Sequence, residues 1–290
     1  MVRSLIVALV FSIGFIGYYN YDTFTRYVHY ELWGSINVDG ATIFLDPKDL
    51  AGTPYLLAVQ RNTGEDVALR TFIKPGDTVI DVGADIGWFT VLAAQLVGER
   101  GKVIAFEPDP ETFAILQRNV AVNGFKNVVL EQKALSNKHD RLKLFLAQEN
   151  RGDNRIFDFG DKRQSVEVEA LSFDEYARSL NPPLKVDFVK IDTQGAEGVI
   201  IEGMKETFQR FPELKVDIEF CPAFLTKSGY EPAKLLQTFE QWGFEFWNID
   251  SFALPFRPAT SAQLLSELTP QNGRQVNLLL RRPACHRAES

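Results

Sequence analysis

Short apolar runs alternate with longer amphipathic stretches from residue 72 onward, and this alternation limits the possible folds more than any other feature. The run TVIDV at 78–82 is bounded by turn residues, as expected of a strand buried on both faces. A helical pattern at 88–97, a second apolar run at 103–107, another helical pattern and a third run at 127–132 follow. A β-α-β-α-β order of this kind predicts a parallel sheet with right-handed crossover connections.

The alternation pauses in the middle of the chain and then resumes. Predicted strands at 142–146 and 166–170 flank a polar loop at 148–164, and a loop of that length inside a compact domain is more often functional than idle. Beyond it the pattern predicts strands at 186–192, 214–220, 244–249 and 276–282, and helices at about 196–211 and 232–242. We therefore expect one α/β domain over residues 72–290.

The first 21 residues differ from the rest of the chain. No charged residue occurs between Ser4 and Tyr21, and residues 5–16 are almost wholly apolar. This composition favours a membrane-associated helix over 1–21; a signal-peptide core and a helix packed on the protein's own surface are the alternatives. Residues 22–71 form a predicted lead-in, with a hairpin around Asp39-Gly40 and a helical stretch over 55–71.

Composition and charge exclude several classes of function. Lys and Arg total 31 against 38 Asp and Glu, a net charge of −7, so no general positive field attracts the chain to nucleic acid. Two cysteines cannot build a disulfide framework or a thiolate metal cage. Three scattered histidines do not form the pattern of a His-based zinc site. Acid–base chemistry therefore falls to carboxylates.

The segment DVGADIG at 81–87 joins the first strand of the predicted domain to its first helix. Its glycines allow a ligand to approach the backbone, and the helix N-terminus offers free N–H groups. The second strand ends at Glu107, which is placed to accept hydrogen bonds from both ribose hydroxyls of a nucleoside. Together these features predict a nucleoside-containing cofactor lying across the carboxyl ends of the strands.

The charges in this segment distinguish between cofactor classes. Asp85 occupies the position of the second glycine of a dinucleotide fingerprint, where its carboxylate would repel a pyrophosphate. Asp81 and Asp85 instead suit the sulfonium and ammonium groups of S-adenosylmethionine. A nicotinamide-dependent oxidoreductase or epimerase is the alternative, supported by the spacing of Tyr230 and Lys234 but weakened by Pro232 between them. A catalytically silent cofactor-binding protein is a third possibility.

Four blocks of the sequence resemble one known family: IDVGADIG at 80–87, AFEPDPETFAILQRNVAVNG at 105–124, VKIDTQGAEG at 189–198 and DIEF at 217–220. They are similar to the FkbM-type branch of the class I S-adenosylmethionine-dependent methyltransferases. The resemblance implies a Rossmann-like α/β fold: a seven-stranded, mostly parallel sheet with helices on both faces and an antiparallel last strand. It also implies methyl transfer, usually to a hydroxyl of a sugar, a glycan or a secondary metabolite.

The predicted cofactor site combines the residue pattern with this resemblance. By the family pattern the glycine-rich segment holds the methionine end, Glu107 holds the ribose, and Ala134 lies near the adenine. The predicted cofactor-binding residues are Asp81, Gly83, Ala84, Asp85, Gly87, Glu107, Pro108 and Ala134. One departure is visible: Gln194 stands where the family commonly has an acid two residues after Asp192, which argues against a mechanism that needs two carboxylates at that turn.

Asp192 ends the predicted strand at 186–192 and is the predicted catalytic residue. Its assigned role is to orient the acceptor hydroxyl and take its proton, while alignment of the reacting groups supplies most of the rate. The alternative is that Asp192 binds the cofactor's amino group or caps the following helix. A divalent ion shared between Asp192 and Glu219 is an open alternative, but two ligands are too few to predict a metal site.

The predicted acceptor contacts come from the polar loop and from the end of a later strand. Polar side chains beside Phe157 and Phe159 suit a sugar, although a solvated connection is the alternative for this loop. The predicted substrate residues are Asn150, Asp153, Asn154, Arg155 and Glu219. Because S-adenosylmethionine is made in the cytosol, we expect the domain at the cytoplasmic face. Its expected acceptor is a small molecule or a lipid-linked or envelope glycan precursor.

Overall fold

The computed structural model describes residues 29–30, 32–50, 52–53, 63–250 and 256–283. The predicted N-terminal helix over 1–21 lies outside these residues. Within the described ranges, no helix is both long enough and apolar enough to cross a lipid bilayer. The predicted hairpin is present: β1 (Ser35–Val38) and β2 (Ala41–Phe44) pair antiparallel, and Asp39 and Gly40 between them both have positive φ angles.

The remaining strands form two sheets. In chain order they are β3 (Thr78–Val82), β4 (Lys102–Phe106), β5 (Val128–Glu131), β6 (Ala134–Ser136), β7 (Asp140–Leu146), β8 (Gln164–Ser172), β9 (Phe188–Ile191), β10 (Lys215–Phe220), β11 (Glu245–Asn248), β12 (Arg257–Ala259) and β13 (Val276–Arg281). The large sheet has the order β12-β11-β13-β10-β9-β3-β4-β5, and the small sheet has the order β6-β8-β7. In the large sheet β10, β9, β3, β4 and β5 are mutually parallel, whereas β13 lies antiparallel between β10 and β11.

The helices connect these strands. They are α1 (Gly64–Phe72), α2 (Trp88–Val97), α3 (Pro110–Val122), α4 (Phe173–Ser179), α5 (Glu197–Gly203), α6 (Lys205–Arg210), α7 (Pro222–Lys227), α8 (Pro232–Gln241) and α9 (Ser261–Glu267). Successive residues of β3 pack into different cores: Val79 packs with α1 and α2, and Ile80 packs with α5, α6 and α8. The central strands are therefore covered on both faces, as their continuous apolar runs predict.

The predicted Rossmann-like α/β class is confirmed, but the predicted number of strands is wrong. The large sheet has eight strands instead of seven, because β12 pairs antiparallel with β11 at the edge. Pro258 lies in the middle of this three-residue strand. A proline breaks the pattern by which a strand is predicted, yet an edge strand tolerates it because one side of the strand needs no N–H donor.

The predicted helix over 196–211 is interrupted. It forms two shorter helices, α5 and α6, that meet at Met204. The carbonyl group of Gly203 accepts a hydrogen bond from the Ser172 hydroxyl at 2.9 Å, and a Cβ atom on Gly203 would lie 2.0 Å from the Ser136 carbonyl oxygen. Contacts of Gly203 with β6 and β8 therefore hold the backbone at the point where α5 ends, although the periodic pattern predicts a continuous helix there.

Candidate functional site

A cleft that is open to solvent lies at the carboxyl ends of β9, β3 and β4, and β6, β7 and the 148–164 loop form one of its walls. This is the edge of a parallel sheet at which ligands bind in α/β proteins. Eight of the residues predicted to bind cofactor, acceptor or proton line it: Gly83, Asp85, Glu107, Pro108, Ala134, Asn154, Arg155 and Asp192. Asp81, Ala84, Gly87, Asn150, Asp153 and Glu219 are not among the lining residues.

The turn after β3 brings three strand ends together. The backbone N–H groups of Gly83 and Ala84 both donate to the carbonyl oxygen of Phe106 at 3.0 Å. Gly83 has a φ of +80°, and a Cβ atom there would lie 2.0 Å from the carbonyl oxygen of Asp192. Only glycine therefore permits this turn to touch the ends of both β4 and β9.

Gly83→Ala is expected to lower the free energy of unfolding by about 3 kcal/mol or more, because a left-handed backbone and a steric clash would coincide. Gly76→Ala is the matched control, since Gly76 has a φ of +92° and a Cβ atom there would meet nothing within 4 Å. We expect a loss of only about 1–2 kcal/mol for the control. Urea unfolding measures both values, and equal losses would show that the contact with Asp192 costs nothing.

Glu107 is buried at the base of the cleft and is held by two backbone donors. Its Oε2 atom accepts from the N–H of Asp85 at 2.9 Å, and its Oε1 atom accepts from the N–H of Asp109 at 2.8 Å. Burial, and then the nearby Asp85 carboxylate, raise the pKa of Glu107 to about 8. Each oxygen keeps a lone pair that a ribose hydroxyl can use.

Asp85 lines the cleft beside Glu107 and has a φ of +50°. Burial is the main cause that raises its pKa to about 7, and the Asp49 and Asp192 carboxylates add to it. The two neighbouring carboxylates therefore bind protons more tightly than free carboxylates do. A positively charged ligand would favour the ionised form of each.

Asp81 faces away from the cleft, into a buried polar row across three strands. Asp81 is in register with Lys190 on β9, and Lys190 is in register with Asp217 on β10. Although burial lowers the pKa of Lys190, the Asp192 and Glu65 carboxylates raise it above its usual value. This row was not predicted from the sequence. The sequence did contain a signal for it, because each of the apolar runs IDV, VKI and VDI has one charged residue at its centre.

Asp192 is held by one donor on each carboxylate oxygen. The Lys190 ammonium group lies 3.2 Å from Oδ2, and the Gln194 side-chain amide donates to Oδ1 at 2.8 Å. The same Gln194 amide donates to Glu219 at 3.0 Å, and Gln275 donates to the other Glu219 oxygen at 2.8 Å. Gln194 therefore bridges the Asp192 and Glu219 carboxylates. Across the described residues, no group of three or more His, Cys, Asp or Glu is placed to hold a metal ion.

The residues of the polar loop fall into two groups, those that line the cleft and those that pair with other loop residues. Asn154 and Arg155 line the cleft, together with Arg151, Gly152 and Ile156, which the sequence pattern did not single out. Asp153 instead forms ion pairs with Arg155 and Arg163. The prediction that four loop residues contact the acceptor stays untested, but the loop does form a wall of the cleft.

Tyr230 and Lys234 do not line the cleft. The Lys234 ammonium group lies 2.9 Å from a Glu202 oxygen, and it also lies 4.5 Å from the centroid of the Tyr230 ring. The Tyr230 ring packs against Gly198, where a Cβ atom would lie 2.3 Å from it. The oxidoreductase interpretation therefore has no support from this pair.

Comparison with known proteins identifies a family for this chain. The model described as "Methyltransferase FkbM domain" matches residues 81–246, which is more than half of the chain. Methyltransferase 1 of Beauveria bassiana is 23% identical over 181 residues, 56% of this chain and 71% of that protein. Protein-L-isoaspartate O-methyltransferase 1 of Archaeoglobus fulgidus is 34% identical over 58 residues, 20% of this chain. The matched part spans 27% of that relative's length.

A solved structure that carries the name of the same family is similar to this chain. The FkbM methyltransferase of Methylobacillus flagellatus is 14% identical, with a TM-score of 0.43, over 71% of this chain and 43% of that chain. The match of the family model, not this distant structural likeness, decides the assignment. The chain belongs to the FkbM methyltransferase family.

Proposed function

We propose that the protein transfers the methyl group of S-adenosylmethionine to a hydroxyl group of a sugar, a glycan or a secondary metabolite. The observation that carries this proposal is that Glu107 and Asp192 line one cleft, at the ends of the two strands that flank β3. One carboxylate suits a ribose and the other suits an acceptor hydroxyl, so one cleft offers a place for both halves of the reaction.

The residues present fit S-adenosylmethionine. Glu107 keeps lone pairs for the ribose, and the apolar side chains of Ala134, Leu135 and Leu144 suit an adenine ring. Asp85 places negative charge where a sulfonium or an ammonium group would be stabilised. When bound, S-adenosylmethionine supplies an electrophilic methyl group on a positively charged sulfur. In this proposal Asp81, Ala84 and Gly87 support the turn from behind and do not touch the ligand.

Asp192 is the proposed catalytic residue. Its side chain is 36% exposed, so it can reach an acceptor in the cleft. Lys190 and Gln194 each hold one of its oxygens, which fixes the direction of the carboxylate. Asp192 then orients the acceptor hydroxyl and takes the proton that the hydroxyl loses. Glu219, which does not line the cleft, is joined to Asp192 through Gln194 and supports it from behind in this proposal.

Membrane association through residues 4–21 stays a prediction, and so does a lipid-linked or envelope glycan acceptor. Among the described residues, Leu32 and Trp33 near this segment are exposed large apolar side chains. An exposed tryptophan of this kind supports an acceptor at a membrane surface. The proposed cytoplasmic location rests on the supply of S-adenosylmethionine alone.

The test of this function measures the transfer of the tritiated methyl group from S-[methyl-³H]adenosylmethionine to an acceptor. The purified chain is incubated with a panel of monosaccharides and their methyl glycosides, and in parallel with an isoaspartyl peptide and with NADH. We expect labelled methyl ethers and S-adenosylhomocysteine from at least one hydroxyl acceptor. Label only on the peptide carboxylate would refute the hydroxyl assignment, and binding of NADH without binding of S-adenosylhomocysteine would refute the cofactor.

A further inference from the structure

Residues 151–156, here called the 151–156 segment, form a continuous part of the cleft wall. Five of its six residues line the cleft: Arg151, Gly152, Asn154, Arg155 and Ile156. The other lining residues on this wall are Lys133, Ala134, Leu135 and Leu144, which follow β5 or belong to β6 and β7. Lys133 joins this wall to β5, on the Glu107 side of the large sheet, and β6 also packs against α5, which follows Asp192.

Ion pairs tie the start of the segment to the turn that follows Glu107. The Arg151 guanidinium group lies 3.1 Å from Asp46, 3.4 Å from Asp109 and 2.6 Å from Glu111. The Asn154 side-chain amide donates to the same Asp109 carboxylate at 3.0 Å. Asp109 in turn donates its backbone N–H to Glu107, so a chain of hydrogen bonds connects the segment with the buried carboxylate.

The end of the segment is fixed just as firmly. Phe145 of β7 and Arg155 exchange two backbone hydrogen bonds, at 2.8 and 3.2 Å. The Arg155 side chain is buried, and its guanidinium group lies 4.1 Å from the centroid of the Phe159 ring. Ile156 packs against the apolar core of the small sheet. Hydrogen bonds, ion pairs and apolar packing therefore hold both ends of the segment in place at the wall of the cleft.

We propose that the 151–156 segment binds the nucleoside half of S-adenosylmethionine and is not an acceptor site, with Arg151 as the positioning residue that joins it to the Glu107 turn. Ala134, Leu135, Leu144 and Ile156 offer an apolar slot for a flat ring, and the Asn154 amide offers a polar group at its edge. The inference rests on the proposed cofactor. It gives Asn154 and Arg155 a different role from the one that the sequence predicts.

Arg151→Met tests this role because methionine keeps much of the length of the side chain and removes all three ion pairs. Calorimetry is performed with S-adenosylhomocysteine and with 5′-methylthioadenosine, which lacks the amino-acid end. We expect both dissociation constants to rise by a similar factor of about ten, because the segment loses the ion pairs that hold it to the turn after Glu107. Arg141→Met, the same change at an exposed position of β7 whose ion pair is with Glu167, is the control and should bind both compounds as the wild type does.

Hydrogen exchange of the unaltered protein provides a second measurement, in case Arg151→Met does not fold. Added 5′-methylthioadenosine should slow amide exchange in residues 151–156, whereas methionine alone should not. Unchanged exchange there, or unchanged affinity of a folded Arg151→Met for both compounds, would overturn the inference. A wild type that does not bind S-adenosylhomocysteine would instead refute the proposed cofactor, so the two failures are distinguishable.

Discussion

At pH 9, where Glu107 is ionised, Glu107→Gln is expected to weaken the binding of S-adenosylhomocysteine by about 100-fold, the effect of losing hydrogen bonds to a charged group. Both Glu107 oxygens accept backbone N–H groups in the free protein, from Asp85 and from Asp109. An amide has only one acceptor oxygen, so its NH₂ group must face one of these two donors. The substitution therefore disturbs the turn and removes the acceptor that the ribose needs. Isothermal titration calorimetry measures the affinity.

The pH dependence of binding separates this role from a purely structural one. Burial and the Asp85 carboxylate raise the pKa of Glu107 to about 8, so its protonated form predominates at pH 6. Ribose hydroxyls donate best to the ionised form, and the affinity of the wild type should therefore rise with pH up to about 8, by at most tenfold per unit. Glu107→Gln should lack this part of the dependence. Glu99→Gln, at an exposed position, is the control; an unchanged affinity and pH profile in Glu107→Gln would remove Glu107 from the site.

The sequence predicts the central sheet well because buried parallel strands leave a clear signature. The runs at 78–82 and 103–107 are mostly apolar, the run at 214–220 alternates apolar and polar residues, and each coincides with a strand to within one residue. β12 was not predicted because Pro258 and two flanking residues show no alternation. The break at Met204 was not predicted either, since it depends on contacts with β6 and β8 that are remote in sequence.

The site could be predicted only where its residues follow strands directly. Glu107 and Asp192 end or follow apolar runs, and topology alone brings them to one edge of the sheet. Arg151 reaches the same cleft through ion pairs with Asp46, Asp109 and Glu111, and no local pattern indicates which acidic residues a loop arginine will meet. The Gln194 bridge between Asp192 and Glu219 likewise depends on side-chain direction, which residue spacing does not determine.

Asp192→Asn is expected to lower kcat by about 10²–10⁴-fold, the usual contribution of a general base. The dissociation constant of S-adenosylhomocysteine should change by less than about threefold, because the interaction is needed only when the acceptor loses its proton. An amide keeps the size of the carboxylate, but it cannot take the proton. It can also accept from only one of the two donors, Lys190 and Gln194. Single-turnover assays with tritiated S-adenosylmethionine separate the chemical step from binding.

The two roles considered for Asp192 predict opposite results in this experiment. If Asp192 bound the cofactor's amino group, Asp192→Asn would raise the dissociation constant and leave turnover at saturating cofactor nearly intact. Asp158→Asn makes the same change at an exposed position of the 148–164 loop, and its activity should equal that of the wild type. Glu219→Gln adds a graded comparison, because Glu219 shares the Gln194 amide but does not line the cleft. A loss of turnover confined to Asp192→Asn would place the proton acceptor at the end of β9, whereas equal losses in both variants would assign the chemistry to the bridged pair.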